Sequence, residues 1–198
     1  MSNVASLASA VSLLRFEGVT LRRGGRLLFE NLDLTVNAGE RLQLTGPNGT
    51  GKSSLLRLAA GLLRQERGRI ERAPLALADE HVALDRERPL IAALGFWSGF
   101  GGSNERLEFA LNTLDLAGLI PIPVRLLSAG QLKRATLARV VGTGAPLWLL
   151  DEPLNGLDRG GLDDLEELLD WHTAQGGAVV AASHLVLPGD WRQLEVGH

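Results

Sequence analysis

The sequence predicts an α/β fold with a three-layer core, because strand-like and helix-like segments alternate along the chain. Residues 41–45 alternate polar and apolar side chains as a strand does, and residues 54–62 then have the composition of a helix. The apolar runs 146–150 and 178–182 are typical of parallel strands buried on both faces. We therefore expect a mostly parallel sheet with helices on both sides.

The chain before residue 41 predicts an N-terminal antiparallel β subdomain. Its strands and turns are expected around residues 13–16, 19–21 and 32–36, and at Gly24–Gly25 and Ala38–Gly39. Residues 1–12 are expected to be a loose extension, because their apolar stretch lacks the basic start of a secretion signal.

The middle of the chain predicts a helical subdomain inserted into the core, at roughly residues 85–141. Two strand-like pieces precede it, near residues 69–71 and 75–78. Within it, one apolar stripe falls at helical spacing on Leu107, Ala110, Leu111 and Leu114.

A last amphipathic helix is expected between the two apolar strands. Its apolar face is marked by Leu162, Leu165, Leu168 and Leu169. Asp163 and Asp164 are expected in its first turn, where carboxylates favour the helix dipole, and Gly176–Gly177 is expected to end it.

Composition sets the outer limits of the interpretation. With 198 residues, the chain is expected to form a single domain, residues 1–198, that has a substantial core. A net charge of −3 gives no reason to expect nucleic acid as a partner. The chain contains no cysteine, which excludes disulfides and thiol catalysis. No run of 18 apolar residues exists, so the chain is not expected to span a membrane.

A phosphate-binding loop is predicted between the strand at 41–45 and the helix at 54–62. The pattern G-x-x-x-x-G-K-S/T is fitted by Gly46, Pro47, Asn48, Gly49, Thr50, Gly51, Lys52, Ser53 and Ser54. Glycines let backbone N–H groups surround a phosphate, and the helix N-terminus adds a favourable dipole. Lys52 would reach the β- and γ-phosphates, and the Ser53 hydroxyl would hold Mg²⁺. The alternative is an ordinary glycine-rich turn.

Two carboxylates and a histidine follow the buried strands. Asp151 ends the first strand, where a carboxylate could reach Mg²⁺, and Glu152 could act as general base on an attacking water. His184 follows the second strand and could hold the γ-phosphate and that water in line. The alternatives are a polar turn at the acidic pair and a structural histidine.

Two further motifs have both a structural and a functional interpretation. Ser128, Ala129, Gly130 and Gln131 form an S-x-x-Q capping box, and a capped helix N-terminus is also an anion site. They could therefore hold a γ-phosphate brought by a second molecule. Asp158, after Asn155–Gly156–Leu157, could be simply a helix cap that follows a turn.

The order of these elements resembles that of ABC-type ATPases over nearly the whole chain. Phosphate loop, L-S-x-G-Q, strand-Asp-Glu, turn-Asp and strand-His follow one another as in that family. The resemblance implies the P-loop NTPase fold of ABC type, with ATP and Mg²⁺ as cofactors. It also implies a head-to-tail homodimer in which each ATP lies between one phosphate loop and the partner's L-S-x-G-Q. Membrane-embedded transporter subunits would be the other partners.

Within that group, the chain resembles the CcmA family, the ATP-binding subunits of the heme exporter of cytochrome c maturation. It is short, and it has Ala129 where most ABC proteins have glycine. The positions of Ala83–Leu84, residues 96–100 and Gln175–Gly177 also follow that family's layout. This resemblance implies a peripheral subunit at the cytoplasmic face of a bacterial inner membrane. The alternatives are the ATPase of another small exporter and a soluble ABC ATPase outside transport.

Two positions depart from the ABC pattern. An aromatic ring usually stacks on adenine near residue 23, but here Arg23 would have to stack its guanidinium on the base. His81 occupies the place of a glutamine that senses the metal and the γ-phosphate. Because imidazole nitrogen is a softer ligand than an amide oxygen, we expect a weakened metal contact there.

An aromatic cluster in the helical subdomain has two interpretations. Phe96, Trp97 and Phe100 could belong to the subdomain core, since aromatic side chains are usually buried. By family resemblance they could instead line the groove that receives a cytoplasmic helix of a membrane subunit.

Overall fold

A computed structural model describes residues 11–81, 83–99 and 101–197 of the chain. The strands are β1 (Ser12–Arg23), β2 (Arg26–Asn37), β3 (Arg41–Thr45), β4 (Arg67–Arg72), β5 (Leu75–Ala78), β6 (Leu147–Asp151), β7 (Ala178–Ala182) and β8 (Arg192–Glu195). The helices are α1 (Lys52–Ala59), α2 (Leu90–Ser98), α3 (Asn104–Thr113), α4 (Ala129–Gly142) and α5 (Arg159–Ala174), with 3₁₀ turns at Ala117–Leu119 and Val124–Leu126.

The strands form two sheets. β1, β2 and β4 make an antiparallel sheet in the order β2-β1-β4, and the other five make a parallel sheet in the order β5-β6-β7-β3-β8. Side chains alternate between the two faces of the parallel sheet. On β7, Val179 and Ala181 join the core that contains α2 to α5, whereas Val180 and Ala182 join the core that contains α1, β1 and β2. The predicted three-layer α/β core is confirmed.

The N-terminal prediction is wrong in two details. The strands expected at 13–16 and 19–21 are one strand, β1, which continues through Gly18 with a register shift against β2. Gly18 has a φ of +56°, a conformation that a β-carbon disfavours, so the irregularity occurs at the residue that accommodates it best. Ser12 belongs to β1 and not to a loose extension, and residues 1–10 lie outside the described residues.

Three helices lie between β5 and β6, where the inserted helical subdomain is expected. The predicted stripe is confirmed, because Leu107, Ala110 and Leu111 of α3 are buried and Leu114 is buried just after it. Within the part of the chain that the structure describes, no helix is both long and apolar enough to cross a bilayer.

Helix α5 begins one turn earlier than predicted. Asp158 is its N-cap and accepts a hydrogen bond from the Gly161 N–H at 2.9 Å, so Asp163 and Asp164 lie beyond the first turn. The helix begins there because the Asp158 side chain satisfies an otherwise unpaired N–H group. Leu165, Leu168 and Leu169 are buried as expected.

A buried histidine on α5 is stacked on a tryptophan of β6. The rings of His172 and Trp148 lie 3.7 Å apart between centroids and 9° from parallel. Gly177 makes room for this stack, because a β-carbon there would lie 2.2 Å from the His172 ring. The pKa of His172 is lowered to about 4, chiefly by burial and to a smaller extent by the charges of Arg106 and Arg41. Burial therefore favours the neutral ring.

We predict that His172 makes the fold acid-sensitive. Its unfolded pKa is about 6.5, so between pH 6.5 and 4 the unfolded chain binds a proton that the folded chain excludes. The stabilisation is complete above pH 6.5 and is lost as the pH falls through this window, by about 3 kcal/mol. Urea unfolding at several pH values should show a flatter dependence for His172→Phe than for wild type.

Leu168 of the same helix supplies the control. Because Leu168→Ala removes no titratable group, its pH dependence should match that of wild type. Equal slopes for wild type and His172→Phe would contradict the assignment.

Candidate nucleotide-binding site

The loop between β3 and α1 has the shape of a phosphate cradle. Gly46 lies so close to the chain after β8 that a β-carbon would stand 2.4 Å from the Val196 carbonyl oxygen. Gly51, the N-cap of α1, has a φ of +116°, which only glycine adopts readily. The sequence thus places glycine where the backbone turns most tightly, and the first N–H groups of α1 are directed at the loop.

Lys52 is buried under this loop. Its Nζ atom donates to the Gly46 carbonyl at 2.7 Å and to the Pro47 carbonyl at 3.0 Å, and the residue is 6% exposed. An ammonium group has three donors, so one remains for an oxygen of a bound phosphate. The phosphate loop and Lys52 together have the hydrogen-bond donors that an anion site requires.

The carboxyl ends of β6 and β7 bring the predicted acidic pair and histidine together. Asp151 is paired with Ala182, and the Glu152 N–H donates to the Ala182 carbonyl at 2.8 Å. The Nδ1 atom of His184 donates to the Glu152 carboxylate at 2.9 Å. Glu152 has a φ of +46°, a strained conformation for a residue with a side chain and one that is common at functional sites.

Asp151 lies next to the phosphate loop between β3 and α1. The Ser53 hydroxyl, at the start of α1, lines the same cavity as the Asp151 carboxylate. Burial raises the pKa of Asp151, and hydrogen bonding by Ser53 partly offsets the effect. A hydroxyl and a partly desolvated carboxylate side by side are oxygen ligands of the kind that Mg²⁺ prefers. The residues present therefore fit the predicted metal.

A lysine that the sequence analysis did not select completes this group. The Nζ atom of Lys133 donates to the Glu152 carbonyl at 2.8 Å, and burial lowers its pKa while Asp151 and Glu152 act in the opposite direction. Lys133 follows Ala129 by four residues on α4, so both face the same cavity. The spacing of four residues after Ala129 was the signal in the sequence for Lys133.

The cavity between α4 and the carboxyl edge of the sheet has a volume of about 640 Å³. Its lining residues include Ser53, Asp79, Lys133, Asp151 and Glu152. Ala78 pairs with Leu150, so Asp79 and Asp151 leave the sheet side by side. An acidic residue directly after an edge strand was the available signal for Asp79, which the sequence analysis also missed.

The structure places His81, for which a weakened metal contact is predicted, outside this cavity. The His81 side chain is 74% exposed and bonds to Asp79 through both its ring and its backbone N–H. It does not line the cavity, and Asp79 does. Asp79 directly follows β5 and therefore lies at the cavity, whereas the chain has turned away from the cavity at His81.

A second cavity of about 320 Å³ adjoins the phosphate loop. Arg23, Arg26 and Leu28 line it together with the loop and Glu152. The Arg23 guanidinium donates to the Ser54 hydroxyl at 3.2 Å, which holds it beside the loop. Arg26 is the cross-strand partner of Arg23 around the Gly24–Gly25 turn, so the hairpin places two guanidiniums here.

The L-S-x-G-Q segment caps α4. The Gln131 N–H donates to the Ser128 hydroxyl at 3.2 Å, and the Ser128 N–H donates to the Gln131 side chain at 2.9 Å. This confirms the capping box. Asp158, which caps α5, is held by Arg134 of α4 at 2.7 Å.

The aromatic cluster separates into an exposed and a partly buried ring. Phe96 is 59% exposed, whereas Trp97 packs against the core of the helical segment. Both line a groove of about 250 Å³ together with Asp85 and Arg88. The third aromatic residue, Phe100, lies outside the described residues.

The different positions of Asp79 and His81 after β5 lead to a prediction about metal affinity. Asp79→Asn removes a negative charge beside Asp151, so Mn²⁺ should bind about threefold to tenfold more weakly in the presence of a non-hydrolysable ATP analogue. His81→Ala is the matched control in the same segment and should change Mn²⁺ affinity by less than about twofold. Electron paramagnetic resonance of free Mn²⁺ measures both. A larger loss in His81→Ala than in Asp79→Asn would contradict this arrangement.

Known proteins share both the sequence pattern and the fold. The family described as ABC transporter matches residues 29–155. The cytochrome c biogenesis ATP-binding export protein CcmA of Sphingopyxis alaskensis is 48% identical over 177 residues, which cover 88% of this chain and 91% of that protein. The protein of the same name from Novosphingobium aromaticivorans is 52% identical, with 84% and 85% covered.

Solved structures agree with this family. The structure of an ATP-binding subunit of an ABC transporter superposes with a TM-score of 0.81 at 24% identity, covering 87% of this chain and 80% of that one. The dimeric structure of a bacterial ABC transporter cassette also gives 0.81, at 20% identity, with 93% and 94% covered. At this identity the likeness concerns the fold alone. Taken with the sequence relatives, it leads to one conclusion: the chain belongs to the ABC transporter family and, within it, to the CcmA group of cytochrome c biogenesis ATP-binding export proteins.

Proposed function

We propose that this chain is the ATP-hydrolysing subunit of a membrane complex that serves heme delivery in cytochrome c biogenesis. The observation that carries the chemistry is the meeting of Ser53 with Asp151 and of His184 with Glu152 beside one phosphate loop. The cytochrome c role is supported by the printed names of relatives that cover most of this chain. The complex would act at the cytoplasmic face of a bacterial inner membrane.

Each group at the site has a proposed task. The loop N–H groups and Lys52 bind the β- and γ-phosphates, and Ser53 and Asp151 would hold Mg²⁺, which neutralises phosphate charge when bound. Glu152 takes the proton of the attacking water as general base. His184 holds the Glu152 carboxylate through Nδ1, and its Nε2 can donate to a phosphate oxygen only in the imidazolium form.

The nucleobase would lie on the cavity lined by Arg23 and Arg26. A planar guanidinium can stack on a purine, which is the task first expected of Arg23. Its hydrogen bond to Ser54 holds it next to the loop, so that it can also contact a phosphate.

We propose that two chains join head to tail and that the capped N-terminus of α4 faces the partner's nucleotide. Ser128, Ala129, Gly130 and Gln131 would then contribute an anion site to the γ-phosphate of the partner. Asp158 would belong to the same interface. The fold likeness to a dimeric cassette supports this arrangement. Membrane subunits would contact the groove at Phe96, where an aromatic side chain is exposed beside charged residues.

We predict that Glu152→Gln binds ATP but loses turnover by at least about 100-fold, because an amide cannot accept the proton of water. Phosphate release under multiple turnover measures the loss, and equilibrium binding of ATP shows that the site persists. Glu167→Gln, on the exposed face of α5, is the matched control and should turn over normally. Normal hydrolysis by Glu152→Gln would show that another group is the base.

The same pair of variants tests the cytochrome c role in cells. In a bacterial strain that lacks its own CcmA protein, the wild-type chain and Glu167→Gln should restore covalent heme on c-type cytochromes, and Glu152→Gln should not. Restoration by Glu152→Gln would separate that role from ATP hydrolysis. Failure of the wild-type chain, expressed and hydrolysing ATP, would favour another small exporter or a soluble ABC protein.

A further inference from the structure

The hairpin of β1 and β2 places two arginines beside the phosphate loop. Arg23 and Arg26 are cross-strand partners around the Gly24–Gly25 turn, so their side chains lie on one face of the hairpin. Both are exposed, and both line the cavity of about 320 Å³ that adjoins the loop. Leu28, two residues after Arg26 on β2, adds a partly buried apolar side chain to the same lining. The hairpin thus forms one wall of the cavity proposed for the nucleobase.

The two guanidiniums of this wall differ in their partners. Arg23 donates to the Ser54 hydroxyl at 3.2 Å, which holds its guanidinium next to the first turn of α1. Among the residues that the structure describes, the Arg26 side chain makes no hydrogen bond and no ion pair. A guanidinium carries five N–H donors in a fixed planar fork, so the Arg26 fork is available to a ligand in the cavity.

The hairpin wall offers hydrogen-bond donors but no side-chain acceptor. Arginine only donates, and Leu28 is apolar. The side-chain acceptors of this cavity belong to the phosphate loop, the start of α1 and the acidic pair: Asn48, Ser53, Ser54 and Glu152. The Glu152 carboxylate already accepts from His184. A base whose phosphates lie in the loop therefore meets donors at the hairpin.

Purine bases differ at the edge that such a pair of donors would contact. Guanine and hypoxanthine have two acceptors there, O6 and N7, and one guanidinium can donate to both at once. Adenine has the acceptor N7 and the N6 amino group, which is itself a donor. One N–H group of a guanidinium would then face an N–H group of the base. The Arg26 fork is therefore complementary to a 6-oxopurine and only half complementary to adenine.

We propose that this site binds and hydrolyses GTP in addition to ATP, and that Arg26 is the residue that favours the 6-oxopurine. The inference deepens the proposed function and rests on it, because it requires that the phosphate loop binds a nucleoside triphosphate. Arg23 stacks on the base or contacts a phosphate from its position beside Ser54, and Arg26 contacts the O6 and N7 edge.

Hydrolysis follows the same course for either base. The oxygen of a water bonds to the γ-phosphorus, and the bond from that phosphorus to the β,γ-bridging oxygen breaks. One proton of the water passes to Glu152 and then to solvent, and GDP and phosphate leave. Because Arg26 contacts the base and none of these bonds, its effect belongs to nucleotide affinity and KM rather than to kcat.

The first test compares nucleotides that differ only at the base. The full chain with Glu152→Gln keeps them intact during calorimetry in the presence of Mg²⁺. GTP and ITP should bind about fivefold or more tighter than ATP, and 7-deaza-GTP, which lacks N7, should lose most of this advantage. ATP binding as tightly as GTP would overturn the inference and leave the proposed function standing, and so would a preference for GTP that ITP does not share. Failure of every nucleotide to bind would overturn the proposed function itself.

A second test exchanges the donor fork for an amide. Glutamine offers one donor and one acceptor, which match N7 and N6 of adenine, so Arg26→Gln should shift the affinity ratio toward ATP by about fivefold or more. Arg22→Gln is the matched control, because Arg22 pairs with Glu66 and does not line the cavity, and its ratio should equal that of wild type. Loss of a cation weakens both triphosphates alike, so the ratio reports the base alone. An unchanged ratio in Arg26→Gln would overturn the role of Arg26.

Phosphate release tests the activity. The wild-type chain should hydrolyse both nucleotides, with a lower KM for GTP, and Glu152→Gln should lose both activities because they share one site. In Arg26→Gln the ratio of the two KM values should change rather than the ratio of the two kcat values. A chain that hydrolyses ATP but releases no phosphate from GTP would overturn the inference.

Discussion

The parallel pairing of β6 with β7 is the constraint on which the site depends. It fixes Asp151 opposite Ala182 and binds the Glu152 N–H to the Ala182 carbonyl, so that His184, two residues after that strand, meets Glu152. β3 lies on the other side of β7 and delivers the phosphate loop to the same edge. Because the carboxyl ends of parallel strands share one edge, three distant parts of the chain converge there without long loops.

The carboxyl edge of the parallel sheet brings together charges that the chain itself neutralises only in part. Burial raises the pKa of Asp151 and lowers that of Lys133, so each ion is partly desolvated beside its neighbour. Lys52 is buried against loop carbonyls. Phosphate and a divalent cation would supply the missing opposite charges. The free energy of binding both ligands can then stabilise the head-to-tail pair that we propose.

Local patterns predicted the phosphate loop, the capping box and the acidic pair, because each depends on residues close together in sequence. Asp79 and Lys133 escaped prediction, since their importance depends on which strand and helix lie next to one another. His81 shows the same limit from the opposite side: its ring is exposed and lies outside the cavity, whereas Asp79, two residues earlier, lines it. The start of α5 was missed because Asp163 and Asp164 resemble the acidic first turn of a helix, although capping was one interpretation of Asp158.

The central claim is that one chain holds half of a hydrolytic site and that the other half is the α4 N-terminus of a second copy. Mixing two inactive variants, Lys52→Ala and Ser128→Arg, tests it most directly. In a head-to-tail dimer, the mixed pair contains one site with both defects and one intact site, so activity should return to about one quarter of wild type at equal mixing. A mixture that stays as inactive as its components, although the two chains are shown to associate, would contradict the account.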